Sequence, residues 1–260
     1  MSKAEKISVE NIPELPYATE EAVNRLRINI NFLGDDIKKI LVVSSVPNEG
    51  KSFVAMHLWH QMVKAKNKSI LVDMDLRKSV IIEDYGLKIE GEKKEKSITR
   101  GTSDYLAGKF SLEDTIYHTD FENGDLLPNM KNVVNPSILL ENRRFEEMFD
   151  KLAEQYQYVF IDSPPLGLVS DSEKIGSMCD GAILVVRSGG VSRKIVKNSA
   201  SQLQRAGCPL LGVVLNRVHG SGSGYYSKRY GGKKYYYGYG RKHKYYTDYY
   251  ASKDAKKSKK

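Results

Sequence analysis

Three short stretches of this 260-residue chain combine residue types and spacing suited to handling phosphate. The first is Ser44-Ser45-Val46-Pro47-Asn48-Glu49-Gly50-Lys51-Ser52. It fits the second half of the phosphate-binding loop pattern G-x-x-x-x-G-K-[ST], with Ser45 where the first glycine usually sits. In such a loop, backbone N–H groups and the start of the following helix point at phosphate oxygens. Lys51 would reach the β- and γ-phosphates, and the Ser52 hydroxyl would bind Mg²⁺. The second stretch is Asp73-Met74-Asp75-Leu76-Arg77, with carboxylates at i and i+2 behind the aliphatic run Ile70-Leu71-Val72. The third is Asp162-Ser163-Pro164-Pro165 behind Val159-Phe160-Ile161. Each acidic stretch alone reads as a turn or cap at a strand end, and an isolated Gly-Lys-Ser is a weak signal. Together they place a lysine, a hydroxyl and three carboxylates beyond three strand ends. Hard carboxylate oxygens suit a Mg²⁺ that travels on nucleotide phosphates.

Such a convergence needs elements that bring the strand ends side by side. Short β-branched runs recur at Ile40–Ser44, Ser69–Val72, Tyr158–Ile161, Gly181–Val186 and Leu211–Leu215. They are continuously apolar, as parallel strands buried on both faces should be. Helical stretches separate them at Ser52–Lys66, Asn142–Gln155, Asp171–Met178 and Val191–Ala206. An earlier helix is expected over Thr19–Leu33, with Thr19 as its cap, Glu20 and Glu21 in its first turn, and Val23, Leu26 and Ile30 at helical spacing. Alternating strands and helices predict an α/β fold: a three-layer P-loop NTPase-type domain with a mostly parallel central sheet. Ligands of such sheets bind beyond the carboxyl ends of the strands. Residues 86–104, with a Glu/Lys-rich centre, read as a solvated loop.

From Gly220 the composition turns to Gly, Ser, Lys and Tyr without a period. A disordered tail over 220–260 is therefore expected, after a domain over 19–219 and an N-terminal extension over 1–18. The tail carries 12 Lys+Arg and 2 Asp+Glu, a net of +10, out of chain totals of 41 and 32. The body is left with 29 and 30, so it is neutral. Eleven of the 17 tyrosines lie in the tail: Tyr225, Tyr226, Tyr230, Tyr235, Tyr236, Tyr237, Tyr239, Tyr245, Tyr246, Tyr249 and Tyr250. Basic residues interleaved with aromatics also suit single-stranded nucleic acid. A neutral body beside a complete nucleotide site argues against nucleic acid as the partner. Two cysteines are too few for a disulfide framework, and the first 15 residues have no apolar core of a signal peptide. The longest apolar runs have strand length, against the roughly 20 residues that span a bilayer. A cytoplasmic protein is expected.

The loop ending Glu-Gly-Lys-Ser, the runs ending Asp-x-Asp-x-Arg and Asp-Ser-Pro-Pro, and the terminal tyrosine cluster together resemble the bacterial tyrosine kinases of capsule and exopolysaccharide synthesis. The resemblance covers roughly residues 15–250. It implies ATP and Mg²⁺ as cofactors, bound by Ser45, Pro47, Asn48, Glu49, Gly50, Lys51, Ser52 and Phe53, with Asn216 and Arg217 lining the adenine pocket. It implies that Ser52, Asp75 and Asp162 organise the metal, and that Lys51, Asp73, Asp75 and Asp162 act in catalysis. Asp73 is then placed to accept the tyrosine proton. The tail tyrosines become phosphoacceptors, reached in trans within a homo-oligomer, a ring being possible. A flexible stretch from Val218 to Tyr235 spans about 20–25 Å r.m.s., enough for a neighbour's crevice. Further implied partners are a membrane-anchored activator of the polysaccharide co-polymerase type and a cognate tyrosine phosphatase. The protein would then lie peripherally at the inner face of the membrane. Related partitioning ATPases carry a second lysine early in the loop, where this chain has Val46. The family's helix pattern Glu-x-x-Arg-x-x-Arg is matched at Glu21 and Arg27, while Asn24 stands in the middle place and Arg25 one step along. A partner-regulated P-loop ATPase switch without kinase activity is the alternative.

Overall fold

The computed structural model describes residues 5–90 and 98–218. The eleven tail tyrosines and residues 220–260 lie outside the described residues. Nine strands form one sheet: β1 (Lys6–Val9), β2 (Lys39–Ser44), β3 (Ser69–Asp73), β4 (Leu87–Ile89), β5 (Tyr117–Thr119), β6 (Gly124–Leu127), β7 (Tyr158–Asp162), β8 (Gly181–Arg187) and β9 (Leu210–Asn216). Their order is β4-β1-β5-β6-β3-β7-β2-β8-β9. From β6 to β9 every pairing is parallel. The β5–β6 and β1–β4 pairings are antiparallel.

The five strands legible in the sequence are contiguous, β3-β7-β2-β8-β9, and form the middle and one flank of the sheet. The other four are short and mix polar with apolar residues, so no continuous apolar run announces them. β1 lies within the expected N-terminal extension, so residues 6–9 belong to the sheet. Ile7 and Val9 of this strand are buried.

Each face of the sheet carries its own apolar cluster, because successive side chains of a strand point to opposite sides. Ile40 and Val42 of β2 join Val54, Leu58, Trp59 and Met62 of α2 (Lys51–Lys64) on one face, where Ile30 of α1 (Tyr17–Asn31) also packs. Leu41 and Val43 join Phe145, Met148, Phe149 and Leu152 of α6 (Arg143–Gln155) on the other. That second face also takes Ile175 of α7 (Asp171–Gly176) and Leu203 of α8 (Arg193–Arg205). Asn142 caps α6 by accepting from Arg144 N at 3.1 Å, and Ser192 caps α8.

Two local expectations are corrected. Thr19 does not cap α1, which begins at Tyr17 with Pro16 in the cap position and no side-chain cap bond. Proline fixes φ near its observed −54°, and its carbonyl accepts from Thr19 N and Glu20 N, so the helix starts two residues early. Residues 86–104 are not simply a solvated loop. They contain β4 and the start of α4 (Thr102–Leu106), and Leu87, Ile98 and Thr102 are buried. The charged centre dominated the composition and hid the apolar flanks. Two further short helices complete the described residues, α3 (Ile81–Tyr85) and α5 (Ser137–Leu140).

Candidate active site

The C-terminal ends of three neighbouring strands, β3, β7 and β2, meet at one point. The parallel register pairs Asp73 with Asp162 directly, and Val42 with Asp162 on the other side. β7 thus lies between the strand that leads into the glycine-lysine loop and the strand that ends in Asp73. Met74 N donates to Asp162 O at 2.8 Å, fastening the acidic turn to β7 just past the ladder.

Lys51 is the hub. Its Nζ lies 3.0 Å from Asp75 Oδ2, 3.3 Å from Asp162 Oδ1 and 3.2 Å from Ser52 Oγ. Lys51, Asp73, Asp75 and Asp162 are all buried, the three carboxylates at 1% exposure. Among the described residues, Lys51 faces three carboxylates in a poorly solvated site, with Lys78 acting on Asp75 from further out, and the excess of carboxylate favours either a bound proton or an added cation. Burial, reinforced by Asp162, pushes the Asp73 carboxyl well above the usual carboxylate range. Burial also raises Asp162, although Lys51 and a hydrogen bond from Ser52 oppose the shift. Asp73 Oδ1 accepts from Asp75 N at 3.1 Å, and Oδ2 accepts from Ser79 Oγ at 2.5 Å. Asp75 Oδ1 accepts from Lys78 N at 3.0 Å. Among the described residues no group of three or more His, Cys, Asp or Glu forms a metal cage.

The loop itself is braced from within. Glu49 is buried, and its Oε2 accepts from Ser45 N at 2.8 Å and Val46 N at 2.9 Å. Its Oε1 accepts from Arg187 N at 3.0 Å, at the end of β8. The carboxylate is thus directed into the loop, and any contact of Glu49 with a nucleotide falls to its backbone. Gly50 has φ 93°, in the left-handed region, and a Cβ there would lie 2.2 Å from Asn216 Nδ2. That amide donates to Glu49 O at 2.9 Å, while Asn216 Oδ1 accepts from Arg217 N at 2.8 Å. Asn216 therefore ties the end of β9 to the loop, and Arg217 stands exposed beside it. Asn48 also has positive φ, 64°. Phe53, one residue into the helix beyond Ser52, stacks obliquely on His57 with centroids 4.3 Å apart. Pro47 and Asn48 form the turn of the loop.

The structure brings together Lys51, Ser52, Asp73, Asp75 and Asp162, and it adds supports that sequence reasoning missed. Arg77, the last residue of the acidic stretch, forms a two-pronged pair with Asp171: Nε to Oδ2 at 2.6 Å and Nη2 to Oδ1 at 3.1 Å. The pair joins the turn after β3 to the first residue of α7, beyond the Asp162 loop. Ser79 N is held by Asn132 Oδ1 at 3.2 Å, so the hydroxyl on Asp73 is itself oriented. An Arg closely following the paired carboxylates was visible in the sequence, but its partner 94 residues on was not. A cleft of about 550 Å³ opens beside the loop, lined by Ser45, Val46 and Gly167 and by Asn198, Gln202 and Arg205 of α8. In α1, the displaced pattern has a local consequence: Arg27 donates twice to Asn24 Oδ1, at 3.1 and 2.9 Å.

Known proteins resemble this chain in sequence and fold. The family described as AAA domain matches residues 38–188. The Tyrosine-protein kinase CpsD of Streptococcus agalactiae is 34% identical over 203 residues, covering 78% of this chain and 85% of that protein. The solved kinase domain of Escherichia coli tyrosine kinase ETK superposes with TM-score 0.67 at 28% identity, covering 78% of each chain. The septum site-determining protein MinD of Pyrococcus horikoshii, solved with Mg-ADP, gives TM-score 0.55 at 26% identity over 69% of this chain and 70% of its own.

Proposed function

Because the chain belongs to the AAA-domain family of bacterial tyrosine-protein kinases that includes CpsD, we propose that it moves the γ-phosphoryl group of ATP onto tyrosines of its own C-terminal tail. The chain is a protein-tyrosine kinase with a nucleotide-binding α/β domain. The acceptors we assign are the eleven tail tyrosines from Tyr225 to Tyr250, with transfer between copies in a homo-oligomer. A kinase domain over 19–219 and an acceptor tail over 220–260 follow from this reading.

The observation that carries it is the Lys51 hub at the ends of three parallel strands. The Lys51 ammonium supplies the positive charge that phosphate oxygens need, and the loop amides beyond Gly50 supply neutral donors. Ser52, Asp75 and Asp162 would hold Mg²⁺, which neutralises phosphate charge when bound. Two carboxylates and a hydroxyl suit this ion, which keeps waters and phosphate oxygens in its remaining positions. The excess of carboxylate over ammonium at the site supports the same assignment, as does the Mg-ADP in the MinD neighbour. Asp73 is the proton acceptor. A phenol has a pKa near 10, so a carboxyl raised by burial is a better match for its proton than an exposed one. Ser79 and Asp75 N fix the direction of that carboxylate.

The family points to capsule or exopolysaccharide synthesis as the process, with a membrane-anchored activator and a tyrosine phosphatase as partners. Among the described residues no helix is long and apolar enough to cross a membrane. Recruitment to the inner face of the membrane would run through that activator. The test is incubation of the purified chain with labelled Mg-ATP, with and without the activator's cytosolic segment. Phosphotyrosine on the tail, lost in Lys51→Met, is expected. Release of inorganic phosphate without phosphotyrosine would instead mark an ATPase switch.

A further inference from the structure

We propose that Tyr17 is a phosphoryl acceptor in the body of the protein, separate from the tail and presented by the uncapped first turn of α1. This rests on the tyrosine-kinase reading above. Six tyrosines lie in the described residues. Tyr85, Tyr105, Tyr117, Tyr156 and Tyr158 are each at most 7% exposed, whereas Tyr17 is 67% exposed. Three of the buried hydroxyls are also engaged: Tyr117 with Arg100 O, Tyr156 with Asp125 and Tyr158 with Asn31. An acceptor ring must enter a kinase crevice with its hydroxyl at the γ-phosphorus, which excludes all five while the domain stays folded.

Accessibility alone is not enough, because a residue fixed in a helix is poorly shaped for a crevice. The surroundings of Tyr17 remove that obstacle. Pro16 occupies the cap position and brings no side-chain acceptor. Every residue from Pro13 to Ala22 is exposed or half-buried, and the first buried residue of α1 is Val23. Unwinding α1 as far as Ala22 therefore gives up backbone bonds, such as Thr19 N to Pro16 O, the Gln61–Glu20 hydrogen bond and the contact of Tyr17 itself, but almost no apolar burial. A ten-residue segment has a contour of about 33 Å, so with both ends tethered its middle can rise by about 15 Å. Tyr17 sits at that middle. In the transfer, Tyr17 Oη bonds to the γ-phosphorus of ATP and the bond from that phosphorus to the β–γ bridging oxygen breaks. ADP leaves, and the phenolic proton passes to Asp73 and then to solvent.

The experiment is site mapping by peptide mass spectrometry on the full chain after incubation with Mg-ATP, alongside Tyr17→Phe, Lys51→Met and Pro16→Ser. We expect phosphate on Tyr17 and on none of the five buried tyrosines. Tyr17→Phe should remove it and leave tail phosphate unchanged, and Lys51→Met should remove both. Pro16→Ser installs a cap and should slow Tyr17 modification about 5-fold without slowing the tail. Phosphate on the tail with none on Tyr17 would overturn the proposal and leave the proposed function standing. No phosphotyrosine anywhere would overturn both. Equal Tyr17 rates in the parent chain and in Pro16→Ser would overturn presentation by the uncapped turn.

Discussion

Replacing Glu49 by Gln separates a bracing role from direct contact with a ligand. The wild-type carboxylate accepts three backbone N–H bonds, from Ser45, Val46 and Arg187, inside the loop and at 1% exposure. Glutamine has the same shape but a single acceptor oxygen. If that oxygen serves Ser45 and Val46, the amide NH₂ points at Arg187 N; if it serves Arg187, the NH₂ points at the other two. In the better orientation one charge-assisted bond is lost and two donors are forced together. A hydrogen bond to a charged group contributes about 1.5–3 kcal/mol, and a buried unpaired donor costs about 1–3 kcal/mol, so the net loss is about 2.5–6 kcal/mol. For a domain of this size that lowers Tm by about 5–24 °C. Calorimetry of the nucleotide-free protein is the assay, paired with a titration by a fluorescent ATP analogue. Bracing predicts a lower Tm without nucleotide and weaker binding with it, because the displaced Ser45–Val46 backbone no longer shapes the loop. Were Glu49 to touch the nucleotide or its metal instead, binding would fall while the Tm of the nucleotide-free protein stayed put. An unchanged Tm would therefore refute the bracing argument.

Three further outcomes follow from the same geometry. Arg77→Met should destabilise by about 3–5 kcal/mol, since it strands the buried Asp171 carboxylate, and Asp171→Asn should cost less, because the half-buried Arg77 keeps a further contact. In calorimetry the double variant should cost less than the two singles combined. Gly50→Ala should abolish tight ATP binding in a titration, because alanine must adopt φ 93° and displace Asn216 Nδ2 from 2.2 Å. Burial lowers His57, and likewise His60, from 6.5 to about 4. Both remain neutral in the folded protein while the unfolded chain takes up protons below pH 6.5. Stability should be full above that pH and fall towards pH 4, by up to about 1.4 kcal/mol per pH unit for each histidine. Thermal melts of His57→Leu should show a shallower decline over that window.

The sequence by itself determined the chemistry. Gly50-Lys51-Ser52, Asp73-x-Asp75 and Asp162 are local patterns at the ends of aliphatic runs, and a short, β-branched, continuously apolar run reads as a strand buried on both faces. The five contiguous strands β3-β7-β2-β8-β9 and the crevice at the ends of three of them were legible for that reason. Strands of three or four residues such as Tyr117–Thr119 and Gly124–Leu127 were not, since their pairing partners, not their composition, hold them in the sheet. Only the tertiary structure decided which groups support the site. Asp171 meets Arg77 across 94 residues, Asn132 holds Ser79, and Asn216 reaches Glu49 across 167. Glu49 reads in sequence as one more loop residue beside the phosphates, and the fold turns its carboxylate inward onto three amides. The difference is physical. An isolated loop solvates a carboxylate for nothing, but a buried loop with three unpaired N–H groups must find them an acceptor, and only packing reveals which side chain is within reach.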